Sequence, residues 1–211
     1  TSTDLCEGFV NVVFNESIEN SDDCANTYVI TRTWTATDCA DNKASFTQTV
    51  HVSDTTKPKF VGELPASELT VECDNIPAVG SLNATDNCSA EVIFNFSEEV
   101  SGQDDECANV YTITRNWVAA DCAGNETSFT QIINVIDSDA PEFNETLPEA
   151  ELTVECDNIP AAITFTAQDN CSGSVDVLFT EEITGDEDEC ANVYTITRNW
   201  VAADCAGNET S

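Results

Sequence analysis

The sequence contains very few basic residues. Six Lys and Arg stand against 40 Asp and Glu, so the formal net charge of the 211 residues is -34 at pH 7. Nucleic acids and anionic bilayer surfaces bind basic patches, and this charge argues against both as partners. Charge this dense repels itself and favours calcium or other cations, although a solvated acidic surface that keeps a secreted protein soluble explains most of these residues.

Other residues and motifs that the sequence lacks argue against further classes of protein. No apolar run reaches the roughly 18 residues of a membrane-spanning helix, and no CxxC pair typical of a zinc site occurs. His51 is the only histidine, and Asn134 replaces it one period later. The acidic pair Glu98 and Glu99 is a poor candidate for glycoside hydrolysis, because adjacent strand residues point to opposite faces. We therefore expect no enzyme activity and no membrane insertion of this segment.

The main feature of the sequence is a tandem repeat with a period of about 83 residues. The stretch Asp105–Ser128 returns letter for letter as Asp188–Ser211, and a looser copy runs from Cys24 to Ser45. Such self-similarity is typical of a repeat architecture. The predicted domains are residues 1–53 as the C-terminal part of a first repeat, 54–136 as a complete second repeat, and 137–211 as a third repeat lacking its last strand.

Period-two alternation within the repeated stretch predicts β-structure. Tyr111, Ile113, Trp117 and Ala119 share one parity, with polar residues between them, as in a half-buried strand. A turn at residues 121–125 and a second alternating run at 129–135 complete a hairpin. Shorter runs upstream predict further strands, and the acidic connection from Glu98 to Glu106 has room for a short edge strand.

Since no segment carries helical periodicity, these patterns predict an all-β fold. We expect tandem immunoglobulin-like β-sandwich repeats of about seven strands each, arranged end to end. The linkers that begin at Asp54 and Asp137 each contain a proline and are expected to be short and stiff. Arg115 shares the parity of Trp117, and we expect it to stack on the tryptophan or to bind a carboxylate such as Glu72.

The eleven cysteines predict disulfides and an oxidising, extracellular location. Each full repeat supplies four cysteines and is too small to rely on its core alone. An extended strand separates Cys107 from Cys122 by about 45 to 50 Å, so these two cannot bond to each other, and Cys73 and Cys88 are separated in the same way. Placing the turns at the two ends of a sandwich predicts the pairs Cys73 with Cys107, Cys88 with Cys122, Cys156 with Cys190, Cys171 with Cys205, and Cys6 with Cys39, with Cys24 lacking its partner.

Several motifs together resemble a known repeat family. ELTVECDNIPA, ATDNC, YTITRNWVAADCAGN and DxxxPxF are similar to the HYR-like, immunoglobulin-type repeats of giant cell-surface adhesins of Bacteroidota, of which the SprB-type gliding adhesins are the nearest example. The resemblance covers the whole chain. It implies a cell-surface filament that is exported by type IX secretion and that serves adhesion and gliding motility.

Acidic and amide side chains at the turns and linkers form a candidate calcium site. Calcium binds six to eight hard oxygen atoms, which carboxylates and side-chain amides supply. The linker Asp137–Phe143 also resembles the cadherin interdomain linker, which calcium stiffens. The candidate ligands are Asp74, Asp104, Asp105, Asp137, Asp139, Asp169, Asn170, Asp204 and Asn208. The alternative is that these residues only cap turns. The linker at Asp54 carries Thr56, Lys57 and Lys59, so we expect weaker calcium binding there, or none.

Three function classes remain open on the sequence alone. The favoured one is a structural spacer, or stalk, in a large secreted cell-surface adhesin filament, with neighbouring repeats of the same chain as its partners. The alternative is a module that binds a polysaccharide or a partner protein through its loops, because the acidic connection differs between repeats. An accessory domain of an enzyme is the third, and it requires a catalytic neighbour.

Overall fold

A computed structural model describes residues 2–4, 8–20, 24, 26–103, 107–185 and 193–211 of the chain. All regular structure in these ranges is β, which confirms the predicted all-β class. The strands are β1 Ser2–Asp4, β2 Gly8–Val10, β3 Val12–Asn20, β4 Tyr28–Thr37, β5 Lys43–Val52, β6 Lys59–Val61, β7 Glu68–Glu72, β8 Asn83–Thr85, β9 Ile93–Ser101, β10 Tyr111–Ala120, β11 Glu126–Ile136, β12 Glu142–Phe143, β13 Ala167–Asp169, β14 Gly173–Val175, β15 Val177–Thr184, β16 Thr195–Ala203 and β17 Glu209–Thr210.

The first repeat forms an antiparallel sheet with the order β3-β4-β5. Trp34 at its centre lies opposite Phe14 on one side and Phe46 on the other. The ring centroids are 5.3 and 5.8 Å apart, so the three aromatic rings form a cross-strand row. Such pairs stabilise neighbouring strands.

The second repeat forms a four-stranded sheet with the order β7-β11-β10-β9. Strand β11 pairs with β7 in parallel, with Ile132 opposite Glu68, whereas β6 pairs with β8 antiparallel. The predicted alternation is confirmed, because Ile113, Trp117 and Ala119 are all buried in β10. In the described part of the acidic connection, residues 98–103, no separate edge strand is formed. Its first residues, from Glu98 to Ser101, instead extend β9.

The third repeat forms two smaller sheets, with the orders β15-β16-β17 and β12-β13-β14. Strand β15 pairs with β16 over eight residues, and Phe179 lies opposite Trp200. The indole of Trp200 also contacts Phe165 and donates its Nε1–H to the carbonyl of Ile163 over 3.0 Å. This tryptophan therefore contributes to internal packing, as the sequence parity predicts.

The chain folds into two compact units. One comprises Thr1–Pro65, Gly80–Ser97 and Asn116–Thr130, and the other comprises Ala66–Val79, Glu98–Arg115 and Gln131–Ser211. Each unit combines segments of two neighbouring sequence repeats. The boundaries predicted at residues 54 and 137 follow the sequence period and remain predictions.

Each unit has its own apolar centre. In the first unit, Trp117 contacts Phe96 and Phe129 at centroid distances of 5.2 and 5.8 Å. The core of the second unit is formed by Ile113, Ile133 and Val135, and Leu69, Val71, Ile76 and Tyr111 pack around them. The linker prolines Pro58 and Pro141 are fully buried, so each linker is fixed by packing as well as by the proline ring.

The repeated arginine forms an ion pair with a carboxylate of the neighbouring strand. Arg115 donates Nε–H to Glu98 Oε2 over 2.7 Å and Nη1–H to the carbonyl of Pro77 over 2.9 Å. Arg198 repeats both bonds, to Glu181 and Pro160. The partner is therefore Glu98 rather than the expected Glu72. No helix in the described part of the chain is long and apolar enough to cross a membrane.

Candidate functional site

Among the described residues, three disulfides link cysteines of different sequence repeats. They join Cys24 to Cys122, Cys73 to Cys171 and Cys107 to Cys205. Their Cα atoms are 5.1 to 5.9 Å apart, within the range that a disulfide requires. Because each bond spans more of the sequence than one period, none of them closes within one repeat.

All three disulfides have the same register. Each joins residues 98 apart in sequence, which is one period plus the 15 positions from Cys73 to Cys88 or from Cys107 to Cys122. The first and third cysteines of the second repeat therefore bond to the second and fourth cysteines of the third repeat. The equal spacing in both pairs lets both bonds form in one register between neighbouring repeats. It does not single out this pattern, because pairing within a repeat is equally regular.

The disulfide pairing predicted from the sequence is wrong where the structure describes both partners. Cys73 bonds to Cys171 instead of Cys107, and this bond also excludes the expected link between Cys171 and Cys205. Cys122 bonds to Cys24, which was expected to have lost its partner, and Cys88 is therefore not joined to Cys122. The prediction placed the cysteines at the two ends of a sandwich but assumed that each bond closes within its own repeat.

Two predicted bonds involve cysteines outside the described residues. Cys6 and Cys190 fall there, so the pairs Cys6 with Cys39 and Cys156 with Cys190 remain predictions. Cys88, which is equivalent to the bonded Cys171, carries a thiol in this structure. Burial, followed by the charges of Asp54, Asp86 and Asp121, raises the pKa of this thiol.

A repeated turn, here called the Asp–Asn clip, precedes the last strand of each repeat. In the second repeat, Asn125 donates its backbone N–H to Asp121 Oδ1 and its Nδ2–H to Asp121 Oδ2, each over 2.8 Å. The same amide donates to the carbonyl of Asp54, 3.3 Å away. Equivalent clips join Asp38 to Asn42 and Asp204 to Asn208, and Asn208 donates to the carbonyl of Asp137 over 3.2 Å.

The first acidic cluster consists of Asp54, Asp86 and Asp121. One carboxylate oxygen of each lies within 4.8 Å of the others. Asp54 and Asp121 are only 7% and 4% exposed. Asp86 Oδ1 accepts the backbone N–H groups of Ser89 and Cys88, which hold the pKa of Asp86 below its usual value. The Oδ2 atoms of Asp54 and Asp86 are buried and accept no hydrogen bond.

The second acidic cluster is its equivalent one period later and centres on Asp137, Asp169 and Asp204. Carboxylate oxygens of Asp137 and Asp169 lie within 4.8 Å of each other and of Cys171 Sγ, which is already in a disulfide. Both carboxylate oxygens of Asp137 and Oδ2 of Asp169 are buried without a partner. Burial first, and then the charges of Asp169 and Asp204, raise the pKa of Asp137.

The structure places the other predicted calcium ligands around this second cluster. Asp74, Asp139 and Asn170 line a groove of about 740 Å³ that also contains Asp169. Asn170 donates its Nδ2–H to Asp139 Oδ2 over 3.2 Å. Asn208 holds Asp204 through the clip. Asp104 and Asp105 lie outside the described residues.

Sequence reasoning missed the first cluster as a set of site residues. Asp54, Asp86 and Asp121 stand one period before Asp137, Asp169 and Asp204, so the repeat alone pointed to them. The exposed Lys57 and Lys59 in the same linker instead predict weak calcium binding there, or none. Among the described residues, however, neither lysine forms an ion pair with the cluster.

Both clusters fit a hard divalent cation. A buried carboxylate oxygen without a partner is unfavourable by several kcal/mol, and a cation removes that cost. Calcium binds oxygen at about 2.3 to 2.6 Å, so two ligands on opposite sides of the ion are about 4.6 to 5.2 Å apart. Carboxylate oxygens of Asp54, Asp86 and Asp121 lie within 4.8 Å of one another, and so do those of Asp137 and Asp169, which is compatible with one such ion per cluster.

Comparison with known proteins places the chain in a family. Residues 1–52 and 64–135 match the family described as the HYR-like domain with 4 cysteines. No curated protein matches the sequence. Among solved structures, Drosophila N-cadherin EC1-4 is similar at 16% identity and a TM-score of 0.30, over 96% of this chain and 57% of that one. The protocadherin GammaB4 extracellular domain is similar at 17% identity and a TM-score of 0.31, over 96% and 41%.

The chain thus spans about half the length of these two cadherin structures. The family match covers more than half of the sequence and includes seven of its cysteines. The chain therefore belongs to the family of HYR-like domains with four cysteines.

Proposed function

We propose that these repeats are spacer modules of a secreted adhesin filament on the cell surface. The observation that supports this role is the register of the disulfides, each of which joins cysteines of two different repeats. A spacer must carry tension from one repeat to the next, and a covalent bond between repeats transmits it without relying on the linker alone. We assign no catalytic role to the chain.

The near-identity of the copies also supports a spacer. Residues 105–128 and 188–211 are the same sequence, whereas recognition of varied ligands favours loops that differ between copies. The same disulfides support an extracellular location, because disulfides form and persist mainly in oxidising compartments. The joint motif set further suggests a Bacteroidota adhesin of the SprB type, exported by type IX secretion and acting in gliding or attachment.

Calcium belongs to this proposal as a stiffening ion at the second acidic cluster. Asp137 supplies two buried carboxylate oxygens without a partner, and Asp169 supplies a third. Asp204 adds negative charge beside them. Calcium at this position joins the linker, through Asp137, to turns of the third repeat.

The bonding pattern is tested by replacing one cysteine and finding which thiol it releases. In Cys73→Ser, alkylation followed by mass spectrometry of unreduced peptides should label Cys171 and leave Cys107 bonded to Cys205. The matched variant Cys107→Ser should label Cys205 and leave Cys73 bonded to Cys171. If Cys73→Ser instead releases Cys107, the bonds close within repeats and the structural basis of the spacer is lost.

A binding screen separates the spacer from the alternative function. The full chain, applied to arrays of polysaccharides and to abiotic surfaces, should show no saturable binding. Specific binding that is lost when the acidic connection at Glu98–Ser101 is exchanged for that of another repeat identifies a ligand-binding module instead.

A further inference from the structure

We infer that Asp54, Asp86 and Asp121 form a second divalent-cation site, in the linker where the sequence predicts weak binding or none. The inference rests on these residues alone and does not depend on the spacer role. One carboxylate oxygen from each residue lies within 4.8 Å of the other two, so a single ion of calcium's size reaches all three.

Unpartnered buried oxygens point to a ligand at this position. Asp54 is 7% exposed, and its Oδ1 accepts the backbone N–H of Thr56 over 3.0 Å. Its Oδ2 is buried and accepts nothing, and the same holds for Oδ2 of Asp86. Buried polar atoms are nearly always satisfied in folded proteins, so two such oxygens in one cluster indicate a position suited to a positively charged ligand.

Neighbouring hydrogen bonds fix the geometry of all three carboxylates. Asp86 uses Oδ1 for the backbone N–H groups of Cys88 and Ser89, which leaves Oδ2 for the cluster. The clip from Asn125 holds both oxygens of Asp121. A carboxylate oxygen has two lone pairs, so these bonds leave Asp121 able to bind a cation as well. The side chains are therefore set before the ion arrives.

The two lysines of the linker modulate this site without occupying it. Lys57 and Lys59 are exposed, and among the described residues neither forms an ion pair with an acid of the cluster. Their charge acts through solvent, where salt screens it. The second cluster instead has the acids Asp74, Asp139 and Glu142 in the adjacent groove. The first site should therefore bind the same ion less tightly than the second. Added salt screens the lysine charges, so the difference in affinity between the two sites should become smaller as ionic strength is raised.

Calcium titration of the full chain by isothermal calorimetry tests the site. The probe is calcium chloride, added to protein from which metal has been removed with EDTA, followed by buffer exchange. The unchanged chain should show at least two classes of binding event. Asp86→Asn keeps the oxygen that accepts the Cys88 and Ser89 N–H groups and removes one charge. It should eliminate one ion from the stoichiometry and leave the tighter event unchanged.

Matched variants decide between a real site and a non-specific acidic surface. Asp169→Asn should eliminate the tighter event and leave the weaker one, and the double variant should lose both. Asp41→Asn, in an exposed turn, should change neither. The inference is overturned if Asp86→Asn leaves stoichiometry and affinities unaltered, or if Asp41→Asn and Asp86→Asn reduce binding equally. Near-ultraviolet circular dichroism in EDTA confirms that each variant remains folded, and Asp54→Asn serves in place of Asp86→Asn if that variant does not.

Discussion

The disulfide register predicts how far the chain extends under force. Under tension an oxidised chain follows the shortest covalent path between its ends. From Thr1 this path reaches Cys24, crosses to Cys122, returns to Cys107 and crosses to Cys205. It contains about 45 residues, which at about 3.5 Å per residue give a limiting length of about 160 Å.

Reduction should release most of the remaining chain. All 211 residues then extend, to about 740 Å at the same length per residue. Pairing within repeats, as the sequence predicts it, leaves a path of about 110 residues and a limiting length of about 380 Å. The three outcomes differ by nearly a factor of two or more, well above the resolution of a single-molecule pulling experiment.

The assay is force spectroscopy with handles at both ends of the chain, before and after addition of a reductant. The oxidised chain should stop extending near the shortest of the three lengths and the reduced chain near the longest. Cys107→Ser provides an internal control, because it removes one crossing and lengthens only the oxidised path. An oxidised length near the intermediate value, or one that reduction does not change, refutes the bonding between repeats.

Three further predictions concern stability. Calorimetry should show a higher melting temperature in calcium than in EDTA, and Asp137→Asn should reduce this increase. An equal increase in the variant and the unchanged chain contradicts a role for Asp137 in binding calcium. In EDTA, the raised pKa of Asp137 means that the folded state holds its proton more tightly than the unfolded chain does. The contribution of Asp137 to the unfolding free energy is therefore present near its ordinary pKa of 3.8 and is lost as pH rises through the pKa of the folded state. Denaturant unfolding at a series of pH values should show this pH-dependent contribution in the unchanged chain and not in Asp137→Asn. Finally, Arg115→Gln should lower the unfolding free energy in urea by about 2 to 4 kcal/mol, because it leaves Glu98 and the Pro77 carbonyl unpaired. Arg32→Gln should lower it by about 1 kcal/mol or less, since the Arg32 side chain is 36% exposed against 5% for Arg115. Similar losses for the two variants contradict this burial argument.

Alternation made the central strands predictable. In β10 every second residue from Ile113 to Ala119 is buried, as the period of two requires. The extension of β9 through Glu98 was not predictable from the same rule, because the adjacent Glu98 and Glu99 interrupt the apolar alternation. The structure shows why they continue it: Glu98 lies beside Arg115 on the neighbouring strand and accepts its Nε–H.

The disulfide partners could not be predicted from the repeated sequence alone. Every copy presents equivalent cysteines, so spacing alone does not state which copy supplies the partner of Cys73. Distance arguments excluded Cys88 as the partner of Cys73, but placing the turns at the two ends of a sandwich pointed to Cys107 of the same repeat. Only the three-dimensional arrangement brings Cys73 to within 5.9 Å of Cys171 between Cα atoms.

The acidic clusters were predictable in part. The sequence placed Asp137 and Asp169 in one set of candidate ligands, and their carboxylate oxygens do lie close together, but the same set also included the exposed Asp139. The structure shows which carboxylates are buried and which are exposed, and this difference could not be read from the sequence. Whether calcium occupies the clusters remains a prediction.

The constant offset of 98 residues between bonded cysteines also constrains how a gene encoding such an array can change in length. Recombination between identical copies, such as those encoding residues 105–128 and 188–211, adds or removes whole periods. Each first or third cysteine that is followed by another copy then still finds a counterpart 98 positions away, in the second or fourth cysteine of that copy. A deletion that removes only part of a copy, together with one of these cysteines, leaves its partner in the neighbouring copy without a disulfide. Complete copies are therefore the units by which the array can lengthen or shorten without losing a bond.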